Sequence, residues 1–249
     1  MYFTDYLTPK SKSAHEGRIL DIRTLKLNHL KTTSHIANID WRNVCLIWYI
    51  GNKRFPTLIL DRQQGLYAIP AKPSSLMKQL MNMRPLGCKR TMMAAAKHVG
   101  VNNYVPTVQG EFCMSPLKSV DGKEQSWLAL HHIDDYTIGN RSDNSLVQFR
   151  GCHEKVLIPT THRFIFNREK DWTAIMKFQQ TILNTIKATF AGVKTSATEI
   201  SQYQAFASEV REFELEAVEE WTEKVLRYVG FDEQTLAPTL KELMKEFDS

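Results

Sequence analysis

The sequence predicts an α+β protein in which antiparallel hairpins and short basic helices form one body, followed by C-terminal amphipathic helices. Three observations carry that expectation. Short apolar runs bounded by turn residues ("VCLIWYI", "RFPTLILD", "SLVQFRG", "EKVLIP") fall in the first two thirds of the chain, as strands do. Beyond Asn167 the apolar residues recur instead at spacings of three and four, the helical period. Charge divides along the same line: residues 196–249 hold 13 acidic and 5 basic residues, and the remainder holds 27 basic and 14 acidic. The expected organisation is a body over residues 1–192 and an acidic helical extension over 193–249.

The first forty residues are polar and weakly patterned, and read as a loose lead-in with a strand around Arg18 to Leu27. Val44 to Ile50 is a buried strand, Gly51-Asn52 a hairpin-type turn, and "RFPTLILD" the returning strand, with Pro56 marking an edge at its start. Pro73-Ser74-Ser75 opens a helix over "LMKQLMNM" that Pro85 ends, and Thr91 to Val99 forms a second, stopped by Gly100. "SWLALHHI" reads as a strand, and "SLVQFRG" with "EKVLIP" as a hairpin across Gly151-Cys152-His153. Asn167 is the expected N-cap of a helix reaching about Phe190 and closed by Gly192, with Trp172, Ile175, Gln179, Ile182, Ile186 and Phe190 on one face. Ser196-x-x-Glu199 is a capping-box pattern for a long helix. Its stripe is Phe206, Val210, Phe213, Ala217, Trp221, Val225 and Tyr228; Gly230 ends it, and "PTLKELMKEF" makes a last short helix.

The composition excludes several classes. No apolar run approaches the roughly 18 residues of a membrane helix, the N-terminus has no secretory pattern, and a cytoplasmic protein is expected. Cys45, Cys88, Cys113 and Cys152 lie far apart without a Cys-x-x-Cys pair, and read as reduced, buried thiols. No phosphate-cradling or dinucleotide-binding glycine motif occurs, so no cofactor is expected.

The strongest functional signal is a stretch from Arg62 to Gly110 without a single Asp or Glu. It contains Lys72, Lys78, Arg84, Lys89, Arg90 and Lys97, with His98 beside the last, and then Asn102 and Asn103. An ordinary soluble surface mixes charge signs. A surface for nucleic-acid phosphates does not, because each Lys or Arg there releases condensed counterions and a carboxylate would cancel one such gain. Asn102, Asn103 and the following Tyr104 could reach base edges or sugar. Met77, Met81, Met83, Met92 and Met93 read as core filling on the inner side of the two helices. A membrane-surface reading lacks the basic amphipathic helix with bulky aromatics. The rival class is a metal-dependent nuclease or phosphoesterase using the "HHIDDY" region, His131 with Asp135, where two imidazoles and two carboxylates are suitable ligands. An extended strand sends these neighbours to opposite faces, so no metal site is expected.

In order, the basic segment, "VGVNNYVP", "FCMSPLKS", "WLALHHIDDY" and "SLVQFRGCHEKVLIPTTH" resemble the ComK-type competence transcription factors over residues 63–183. Val99, Gly100, Val101 and Pro106 fit that family's loop, and Met114, Ser115 and Pro116 its Phe-Phe-Pro positions. Trp127, Ile133, Phe149, Gly151 and Pro159 fit its later strands, and Asn167 an Asn past the hairpin. Cys88-Lys89-Arg90 stands where the family has Gly-Arg-Lys, Asn102-Asn103-Tyr104 replaces Ser-His-Lys, and Thr161 stands for Ser. The resemblance implies a non-enzymatic activator of DNA-uptake genes that binds paired A/T-rich boxes of double-stranded DNA, largely through the minor groove. It also implies a homo-oligomer and control by a proteolytic adaptor.

Overall fold

A computed structural model of the chain describes residues 1–15, 19–35, 39–83, 89–118, 124–191 and 197–248. Among the described residues there are ten strands: β1 (Ile19–Asp21), β2 (Val44–Tyr49), β3 (Thr57–Asp61), β4 (Gly65–Ile69), β5 (Thr107–Gln109), β6 (Phe112–Pro116), β7 (Trp127–Ala129), β8 (Ile133–Ile138), β9 (Ser145–Phe149) and β10 (Lys155–Ile158). The helices are α1 (Pro9–Ala14), α2 (Pro73–Met83), α3 (Lys89–His98), α4 (His162–Ala191), α5 (Ala197–Val229) and α6 (Glu233–Asp248). The α+β expectation holds. By the density of their contacts the residues form two units, Met1–Cys88 with Asn103–Thr173, and Lys89–Asn102 with Ala174–Ser249.

The first unit is built on two sheets. One has the order β4-β3-β2-β7-β6-β5 and is antiparallel throughout; the other is β1-β10-β9-β8, antiparallel except that β1 joins β10 in parallel. β2 and β3 read as near-continuous apolar runs because both lie inside the larger sheet. Pro56 stands just before β3 rather than in its ladder, so β3 pairs on both sides and is not an edge. The turn before it is longer than a tight hairpin, and the Asn52 side chain accepts from the amides of Arg54 and Phe55. Ile47, Ile59, Ile69, Leu76, Met77, Leu80 and Met114 form one buried cluster, so α2 lies with its apolar side on this sheet.

Other expectations for the first unit also need correction. The first forty residues are not a loose lead-in: Phe3, Leu7, Leu20, Ile22, Leu25 and Leu30 are buried, and β1 completes the smaller sheet. Their spacing follows neither period because short turns separate them. The acid-free stretch is more than two helices and a loop, since it begins with the buried strand β4. Gly65 opens that strand at φ +82, and a Cβ there would stand 2.2 Å from the Tyr6 ring. Finally, "SWLALHHI" is not one strand. After β7 the chain makes a 3-10 turn over Leu130–His132 and leaves the larger sheet for the smaller one as β8.

In the second unit Met92, Ala95 and Ala96 of α3 and Ile175 and Phe178 of α4 are buried. Gly100, at φ +81, closes α3 as expected, with its amide donating to the Lys97 carbonyl and that of Val101 to the Ala96 carbonyl. α4 starts five residues before Asn167: Thr161 Oγ1 accepts from the Phe164 amide at 3.0 Å and caps it instead. The Ser196 cap and Gly192 lie outside the described residues. α5 ends at Gly230 as expected. α6 begins ahead of the "PTLKELMKEF" segment: Asp232 Oδ1 accepts from the amides of Gln234 and Thr235, so Pro238 falls inside the helix instead of opening it.

Candidate nucleic-acid interface

In α2 the helical period separates two kinds of residue. Leu76, Met77 and Leu80 are buried while Ser74, Ser75, Lys78 and Gln79 are exposed. Among the described residues no carboxylate pairs with Lys78. Lys72 stands at the N-cap, its carbonyl accepting from the Leu76 amide at 3.1 Å. Its side chain is 64% exposed and its Nζ lies 3.6 Å from Glu124 Oε1. A surface pair of this kind is worth at most about 1 kcal/mol, so Lys72 remains available to another anion.

Lys89 and Arg90 are the first two residues of α3. Arg84 lies outside the described residues, as do the side chains of Lys89 and Arg90. Lys97 is exposed, but His98 points the other way. Its side chain is 10% exposed; the ring stacks on Phe178 at 4.4 Å and meets Phe213 edge-on at 5.9 Å. Glu216 Oε2 of α5 lies 3.5 Å from its Nδ1. Glu220, one turn further along α5, bonds Lys224 and feels the charge of Lys97. That hydrogen bond from Lys224 holds the Glu220 carboxyl below its ordinary range. His98 therefore belongs to the packing of α3 rather than to its open face.

Asn102 and Asn103 are both exposed, and in the first unit the chain from Asn103 onward is fastened from α4. Arg168 Nη1 donates to the carbonyls of Asn103 and Tyr104, the latter at 3.1 Å. The guanidinium lies 5.4 Å from the Phe164 ring, which Tyr104 meets edge-on, and pairs with Asp171 at 2.7 Å. Burial of the Asp171 carboxyl outweighs the charge of Arg168 and pushes its pKa up. Trp172 Nε1 donates to the Gly110 carbonyl at 3.2 Å. Tyr104 is held at φ +51, a conformation side chains seldom adopt. Arg168 was not a sequence candidate, since a side chain that binds remote carbonyls leaves no pattern in composition or spacing.

The "HHIDDY" residues are used differently from a metal centre. His131 Nδ1 is 3.2 Å from the Cys113 amide, and His132 Nδ1 is 3.1 Å from Arg62 Nη1. Asp134 and Asp135 are exposed, and a register shift separates Ile133 from Asp135 in the β8–β9 pairing. Among the described residues no group of three His, Cys, Asp or Glu could hold a metal ion. The methionines divide: Met77 and Met92 are buried as expected, Met81 packs against the core, and Met93 is exposed.

Helices α2 and α3 thus bury apolar residues while keeping Lys78 and Lys97 exposed. The family model described as ComK protein matches residues 37–183, more than half of the chain, and the chain belongs to the ComK family. The family comprises DNA-binding transcription activators of competence genes, which are not enzymes. Such an activator works inside the cell, and no helix among the described residues is long and apolar enough to cross a membrane. No curated protein and no solved structure matches the chain.

Proposed function

We propose that this activator recognises A/T-rich boxes in double-stranded DNA, largely through the minor groove, in the cytoplasm. Each unit carries its own part of the contact surface. Lys72, Lys78 and Asn103 act in the first unit, and Lys89, Arg90, Lys97 and Asn102 in the second, with Arg84 between them in sequence. The observation that carries this reading is the acid-free stretch whose helices bury their apolar sides while Lys72, Lys78 and Lys97 stay exposed. A-tract minor grooves are narrow and strongly negative, which favours inserted Lys and Arg. His98 is left out of the contact set because of its packing between Phe178 and Phe213.

The test is the salt dependence of binding to an A/T-rich duplex. The slope of log K against log salt is expected to be about −0.9 per phosphate neutralised. Replacing Lys89 and Arg90 together by Ala should flatten it by up to about two units. An unchanged slope removes both residues from the surface.

The active form is a homo-oligomer. Trp221, Val225 and Tyr228 continue the apolar stripe of α5, and they are 56%, 38% and 95% exposed. A second copy would cover them. Sedimentation should show Trp221→Ser with Tyr228→Ser dissociating the oligomer; an unaltered mass places the contact elsewhere. Turnover through a proteolytic adaptor is the family-level expectation that accompanies this reading.

A further inference from the structure

The first turns of α4 divide their side chains by sign of charge. Over residues 162–173 the exposed ones are His162, Arg163, Phe166, Asn167, Lys170 and Thr173, and at about 100° per residue they fall on one side of the helix. The carboxylates of the same turns are half-buried and engaged. Glu169 accepts from the Tyr136 hydroxyl at 2.6 Å, and Asp171 pairs with Arg168 at 2.7 Å. The open face is therefore cationic and polar around one aromatic ring.

Phe166 is 45% exposed, and Lys170 Nζ lies 4.5 Å from its ring centre. An ammonium thus stands over the ring without covering it, and an apolar surface and a charge are presented together. The face also adjoins a residue of the proposed DNA surface. Arg168 of the same turns donates to the carbonyls of Asn103 and Tyr104, and Tyr104 meets the Phe164 ring edge-on at 5.4 Å. Asn103 is exposed, and all these residues belong to the first unit. At the other end of the face the Tyr136 ring lies 4.8 Å from the His162 imidazole, and Asp134 and Asp135, which precede Tyr136 on β8, are exposed. Their charge repels a phosphate there, which leaves His162 out of the contact.

We infer that this face of α4 is a further DNA-contacting element, in which Arg163 and Lys170 meet phosphates and Phe166 packs against sugars and base edges in the groove. The inference rests on the reading of the chain as a binder of double-stranded DNA, and it adds an element that lies outside the acid-free stretch. Its charge complements a phosphate backbone, and its position beside Asn103 extends the surface proposed for the first unit. Proteins that read the minor groove commonly set an apolar side chain among such cations. The two kinds of contact leave different signatures. The cations act by counterion release and weaken with salt, whereas an apolar ring releases no counterion.

The test is binding of the full chain to a labelled A/T-rich duplex, followed by fluorescence anisotropy across a salt series, with sedimentation of the same proteins without DNA. Arg163→Ala with Lys170→Ala should flatten the slope of log K against log salt by up to about two units. Arg163→Lys keeps the charge and should keep the wild-type slope. Phe166→Ala should weaken binding about tenfold at every salt concentration and leave the slope unchanged. All three side chains are exposed, so urea midpoints should match the wild type and identify each loss as one of contact. A slope that survives the double substitution, or an affinity that survives Phe166→Ala, overturns the inference while wild-type binding upholds the DNA reading. A lower sedimenting mass for Phe166→Ala without DNA also overturns it, because the face then belongs to a second copy of the chain. A wild-type chain that does not bind the duplex overturns the DNA reading, and the inference with it.

Discussion

Helices α2 and α3 come from one acid-free stretch and carry similar cations, yet different surroundings hold them. α2 rests on aliphatic residues of a sheet, and its Lys78 faces outward with no carboxylate paired to it among the described residues. α3 belongs with the acidic helix α5, where His98 packs between Phe178 and Phe213, Glu216 stands 3.5 Å from the imidazole, and Lys97 acts on Glu220. Excluding acid along the chain does not exclude it in space, because charges interact by distance and not by position in sequence. The two helices thus carry their exposed lysines, Lys78 and Lys97, in different electrostatic surroundings.

The largest effects should come from the apolar anchors. Leu80→Ala removes a buried contact between α2 and its sheet, and is expected to cost about 3 kcal/mol. Phe178→Ala opens the aromatic stack over His98 and is expected to cost about 3–4 kcal/mol. Urea unfolding measures both. A Phe178→Ala protein as stable as the wild type would mean that aromatic packing does not hold α3, and the contrast with α2 would lose its basis.

Much of this arrangement is legible in the sequence, and what is not legible has physical causes. Hairpins such as β9–β10 and the amphipathic α5 follow from local period and turn residues. β4 is hidden because "GLYAI" stands within a run of cations whose common feature is charge, and burial alone explains the missing acids there. The N-terminal strand pairs with residues far along the chain, a register that no local pattern encodes. The same holds for Arg168 and the carbonyls it grips, and for the association of α3 with α5. Among the site residues, the exposure of Lys78 and Lys97 follows from helical period, whereas the inward turn of His98, next to Lys97, depends on partners in α4 and α5.

A third cation of the stretch, Arg62, is used inside the fold, and this sharpens the comparison. Its Nη1 donates to His132 Nδ1, which leaves the imidazole proton on Nε2. Burial first, then the neighbouring His131 and Arg62, lowers the pKa of His132 to about 4. The unfolded chain therefore binds a proton that the folded chain refuses between the ordinary 6.5 and about 4. More protons on the unfolded state make stability rise with pH, so stability is lost as pH falls through this window. After allowance for solvent screening the loss is about 2 kcal/mol. His132→Gln should flatten the pH dependence measured by denaturant midpoints between those limits. An unchanged profile would assign the acid sensitivity to another group.

The smallest expected effect tests the electrostatic contrast most directly. Glu220 stays ionised under its bond to Lys224, and with Glu216 it places negative charge next to the cations of α3. Gln at both positions keeps the shape and removes the charge, so affinity for duplex DNA should rise roughly threefold to tenfold at low salt, or about 1 kcal/mol. Glu124→Gln, the counterpart beside Lys72, is an exposed pair, and its effect should stay below about 0.5 kcal/mol. Raising the salt should erase the first gain, because a Debye length of about 3 Å at 1 M screens exposed charges from a bound duplex. Fluorescence anisotropy with a labelled A/T-rich duplex resolves the two cases. Equal gains from both substitutions would mean that the carboxylates beside α2 and α3 oppose binding equally, and the contrast between the two helices would fail. A gain confined to the Glu216 and Glu220 pair would make α5 the element that weakens binding through α3 while leaving α2 untouched.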